Sequence, residues 1–187
     1  MKLIALLMLF VTIFCFSNIS SAAAQSAQKS GNPPTAHAYR SKAPQLKEMG
    51  GQEVDTKYFK VIIPAGWSMP VPVQSTPHNG VTALFVSMSQ SPAVSITVME
   101  TPATAKQLGE MTLENMKKGG IASTPLEEKD GMWHSNLSGK GKGSIWFGDN
   151  NGIASVTVIT GDDIEKAEDF FSVLSPKTER LFPKKAQ

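Results

Sequence analysis

The sequence predicts an α+β protein, an antiparallel β-sheet flanked by helices in an α/β/α sandwich. Three observations carry this. Strand-like runs of alternating apolar residues follow one another across short turns, as in VTALFVSM and AVSITVME or GSIWFGDNNGIASVTVIT. Two segments, around Pro102–Lys118 and Asp162–Leu174, instead repeat their apolar residues at helical spacing and start at capping residues. The strands also carry apolar side chains on both faces, so both faces must be covered.

In chain order, Lys2, the apolar run Leu3–Phe16 and Ala22-Ala23-Ala24 before Gln25 have the three-part layout of a secretory signal, with cleavage expected after Ala24. The run is shorter than the roughly 20 residues that span a bilayer, so no stable membrane insertion is expected once the signal is removed. A periplasmic or secreted protein is the expectation. The one cysteine, Cys15, lies in the part removed, which leaves no disulfide or thiol chemistry. Residues 25–52 contain Pro33-Pro34, Pro44 and Gly50-Gly51 with little apolar periodicity and read as a flexible linker. A single domain over 53–182 follows, and 183–187 form a basic tail read as solvated.

The domain opens with YFKVIIPAGW, in which Phe59, Val61 and Ile63 share one face of a strand and Pro64 and Gly66 make a turn. The next segment, SMPVPVQSTPHNG, holds three prolines and fits only a loop or an irregular edge. In the hairpin that follows, a turn over Ser89–Pro92 places Val81, Ala83 and Phe85 on the side of Val94, Ile96 and Val98. Thr101-Pro102 then predicts a helix N-terminus, and Gly119-Gly120 its end; Gly109 inside it implies close packing or local fraying. A meander of strands is expected over 121–129, 132–139, 142–147 and 153–160. The last helix is expected from Asp162, capped by its side chain and Glu165, with Ile164, Ala167, Phe171 and Leu174 buried and Pro176 ending it.

This order of elements, with YFKVIIPAGW, the strand SVTVITG and the capped last helix, resembles the PsbP-like fold, a group that takes in PsbP, the Ran-binding Mog proteins and bacterial DcrB-like periplasmic proteins. The resemblance spans about Val54 to Leu174. It implies a sheet between helices and an accessory or binding role without catalysis, and it brings no active-site motif.

Residue chemistry adds exclusions. Without Lys2 the chain has 17 basic and 16 acidic residues, so nothing points to nucleic acid as a partner. The glycines of NLSGKGKGSIWF precede a strand rather than a helix, which excludes a phosphate loop; Gly139, Gly141 and Gly143 instead form a bare strip that another backbone can approach. GxSxG does not occur, the one SxxK, Ser26-Ala27-Gln28-Lys29, falls in the span read as linker, and the pairs Glu127-Glu128 and Asp162-Asp163 are adjacent, so their side chains diverge. No catalytic residue and no cofactor are expected. Trp133, Trp146 and Phe147 fall on neighbouring strands and form a candidate docking patch for a protein or envelope component. The alternative is a copper-type metal or small-ligand carrier using methionines with His78 or His134; a hydrolase comes third.

Overall fold

The computed structural model of the protein describes residues 46–139, 142–161 and 163–184. The expected signal peptide, most of the expected linker, Lys140, Gly141 and Asp162 lie outside them. The described residues form mostly antiparallel sheet with two helices, an α+β fold.

A small sheet of three strands has the order β1 (Glu53–Asp55), β2 (Phe59–Ile62) and β12 (Leu174–Pro176). The large sheet runs β3 (Trp67–Ser68), β5 (Gly80–Ser87), β6 (Ala93–Glu100), β11 (Ile153–Thr160), β10 (Gly143–Asn150), β9 (Met132–Gly139) and β7 (Ile121–Ser123), with β4 (Gln74–Thr76) beside β5 and β8 (Glu127–Lys129) beside β9. Helix α1 spans Ala105–Lys118 and α2 spans Ile164–Ser172. The proline-rich segment supplies only the short edge strands β3 and β4, because proline has no N–H to give a ladder.

The β5–β6 register matches the expected one: Val81 opposite Val98, Ala83 opposite Ile96 and Phe85 opposite Val94. Strand alternation then divides the core in two. One cluster joins Phe85, Ile96, Trp146 and Ile159 of the large sheet to Phe59 and Val61 of the small sheet, Phe170 of α2 and Phe182 of the tail. Phe170 is its hub, with ring centroids 4.7 Å from Phe85 and 5.3 Å from Trp67. The other cluster joins Ala105, Leu108 and Met116 of α1 to Leu137, Ile145, Phe147 and Val156. Gly109 belongs to this contact: a Cβ there would lie 2.9 Å from Leu126 Cδ1 and 3.2 Å from Phe147 Cδ2, so close packing, not fraying, explains the glycine.

Four expectations are corrected. Helix α1 starts at Thr104, not Thr101: Thr104 Oγ1 accepts from Gln107 N, Gln107 Oε1 accepts from Thr104 N, and Asp149 Oδ2 accepts from Ala105 N at 2.5 Å. Of the two threonines in TPATAKQ, only the second has a glutamine three residues on. The single strand expected over 121–129 is two, broken at Pro125; Thr124 is held by Ser135 Oγ donating to its carbonyl at 2.7 Å, and Leu126 turns into the α1 cluster. The last helix ends at Ser172, and Leu174 pairs with Val61 in β12, where Pro176 is an edge residue rather than a helix stop. Its N-cap is Asp163, whose Oδ1 accepts from Lys166 N at 3.0 Å, one residue beyond the expected Asp162, which lies outside the described residues.

Both ends of the described chain are tied down. Within the span expected as linker, Met49 N donates to Trp67 O and Gly51 N to Ile63 O. In the tail, Lys177 pairs with Asp55 at 2.5 Å, while Leu181 and Phe182 are buried.

Candidate functional site

The meander sets Trp133, Trp146 and Phe147, but not on one surface. In the β9–β10 ladder Trp146 lies opposite His134 and Phe147 opposite Trp133. Opposite residues share a face and successive ones do not. Trp133 and Phe147 therefore point toward α1, where Phe147 is fully buried and Lys106 Nζ sits 5.1 Å from the Trp133 ring centroid. Trp146 points to the other side. A single patch built on Trp133 and Trp146 is thus excluded by register.

What the structure brings together instead is Trp146 with His134. Their ring centroids are 4.3 Å apart, and Lys129 Nζ lies 5.6 Å from the Trp146 ring centroid. The two-residue turn Asp130-Gly131, with φ of 54° and 74°, joins β8 to β9, pairing Lys129 with Met132 and Glu127 with His134, so that Lys129 lies diagonal to His134 on the same face. Trp146 is 9% exposed, so it is a floor, not a protruding anchor.

Two adjoining cavities open over this floor. The first, about 250 Å3, is lined by Lys129, His134, Asn136, Ser144 and Lys184, together with the shared residues below. The second, about 570 Å3, is lined by Met132, Leu174, Pro176 and Phe182, with Glu179 and Arg180 at its rim. Asp130, Trp146, Phe171, Pro183 and Lys184 belong to both. Pro183 and Lys184, the start of the tail expected to be solvated, make the far wall together with Arg180 and Phe182 from the end of the expected domain. The one signal of this in the sequence was the apolar pair Leu181-Phe182 between the cations. Burial, then the Lys129 ammonium, hold the His134 imidazole below its usual pKa, with Glu127 opposing.

The histidines do not meet. His78 lies in the turn before β5, four strand spacings from His134 on β9, on the order of 19 Å at the usual interstrand distance. They cannot share a metal, and among the described residues no three His, Cys, Asp or Glu side chains cluster to hold one. Lys166 Nζ does donate to Ser87 Oγ at 2.9 Å, a pairing sequence spacing did not suggest, but Ser87 is fully buried and the bond pins α2 to β5. Among the described residues no side-chain hydrogen bond joins His134 to a hydroxyl or a carboxylate, and no helix is long and apolar enough to cross a membrane.

No family model and no curated protein matches the chain. Its structure is similar to the solution structure of cyanobacterial PsbP (CyanoP) from Synechocystis, with 16% sequence identity and a TM-score of 0.42 over 77% of this chain and 99% of that one.

Proposed function

We infer that the protein is an exported, non-catalytic accessory protein of the cell envelope, which docks to a protein or envelope component through the groove over Trp146. In this reading α1 and α2 flank the sheet as an α/β/α sandwich of the PsbP-like kind, and residues 1–24 direct export. The observation that carries the reading is the groove itself: an aromatic floor, an apolar second compartment, and cations on the rim. Such a surface offers burial to a partner. The non-catalytic part of the reading is supported by His134, which lines the first compartment with no hydroxyl or carboxylate hydrogen-bonded to it among the described residues.

A photo-crosslinking residue placed at Asn136, on the exposed lip of the first cavity, tests this in the native envelope. A recurrent crosslinked neighbour is expected, absent when the crosslinker is moved to Glu110 on the exposed side of α1. Crosslinks that are equally abundant from both positions, or absent from both, would remove the groove from consideration.

A further inference from the structure

The groove is divided chemically, and the division points to the occupant. In the first compartment Lys129 and Lys184 face the same cavity, with the amide of Asn136 and the hydroxyl of Ser144 beside them. Among the described residues neither lysine is ion-paired, and Lys129 is held only over the Trp146 ring. Asp130 is the one acid lining this compartment. The second compartment is apolar inside, with Met132, Leu174 and Phe182, and its rim charges Glu179 and Arg180 are of opposite sign. Trp146 and Phe171 form the joint between the two.

We propose that the groove receives an extended segment of a partner protein carrying a carboxylate next to a bulky apolar side chain, the carboxylate between Lys129 and Lys184 and the apolar side chain over Trp146 and Phe171. This rests on the docking reading above and adds the chemistry of the partner. A carboxylate there gains charge-assisted hydrogen bonds from two ammonium groups that form no ion pair among the described residues. The neighbouring side chain covers apolar lining that no described element covers.

The test uses the full chain and three short labelled peptides in a Gly/Ser background: one with a Glu-Phe step, one with Gln-Phe, one with Glu-Ser. The Glu-Phe peptide is expected to bind, with about ten-fold loss for either substitution. Lys129→Gln and Lys184→Gln should each weaken the Glu-Phe peptide about three-fold, as exposed cations do, and leave the Gln-Phe peptide unaffected. Both lysines are exposed, so neither variant threatens folding. Equal affinity for Glu-Phe and Gln-Phe, binding of none of the peptides, or binding of phosphatidylglycerol vesicles in their place would each overturn the proposal. Crosslinks from Asn136 to a protein neighbour alongside equal peptide affinities would sink the carboxylate clamp and leave the docking reading standing. Absence of crosslinks would sink the docking reading instead.

Discussion

His134 couples its neighbours to pH. Because burial and Lys129 depress its folded pKa, the unfolded chain binds the proton more readily, and stability is lost as pH falls below about 6.5 toward the folded value. His134→Gln should therefore show a smaller drop in Tm between pH 7.5 and 5.5 than the parent; an equal drop would mean the imidazole does not feel Lys129 and the sheet. Two glycines make a second contrast. A Cβ on Gly143 would run into the Ile159 carbonyl, part of the neighbouring strand, whereas Gly152 has open space but a φ of 79°. Gly143→Ala should cost roughly 2–3 kcal/mol by overpacking and Gly152→Ala about 1 kcal/mol by strain, an order readable from denaturant midpoints. The close backbone approach was legible at Gly143, but the expected strip with Gly139 is not one strand face, because Gly139 ends β9, Gly143 begins β10 and Gly141 lies outside the described residues. The faces of Trp133 and Trp146 were not legible, since a loop of uncertain length between β9 and β10 leaves register open, and one residue of slip turns a side chain over.

At the scale of elements, the long strands could be read from their alternation, since eight residues of period two leave little choice of face. Boundaries were set by partners distant in sequence. Asp149, on β10, accepts from the first N–H of α1 and so helps choose Thr104 over Thr101 as the cap; nothing within TPATAKQ reveals a carboxylate 44 residues away. Thr104→Ala should cost about 1 kcal/mol, and Thr101→Ala, which loses only a local bond to Ala103 N, less. Equal losses would mean that the helix frays back to Ala105 regardless of its cap. The early end of α2 has a similar cause, because Leu174 gains more from the open edge of β2 than from another helical turn.

For the whole molecule, the candidate site depends on the tail as much as on the sheet. Residues 180–184 cross β10 at Gly148, where a Cβ would run into the Arg180 carbonyl and lie 2.9 Å from Leu181 Cα. Both obstacles are backbone, so the tail has to lift for a side chain to fit. Ser155 Oγ donates to the Leu181 carbonyl, and Phe182 packs edge-on against Phe59 at 5.6 Å, so lifting also breaks a buried hydrogen bond and an aromatic contact. Gly148→Ala should cost about 2–3 kcal/mol and draw Pro183 and Lys184 away from the groove. Trypsin reports this directly: Arg180 is exposed, but its neighbour Leu181 is buried, so cleavage after Arg180 requires the tail to leave its seat. Faster cleavage there than in the parent, with weaker Glu-Phe peptide binding at a temperature where the variant remains folded, is the expected pair of results. Unchanged cleavage with an unchanged Tm would show that the tail does not rest on Gly148, and the groove would lose its far wall.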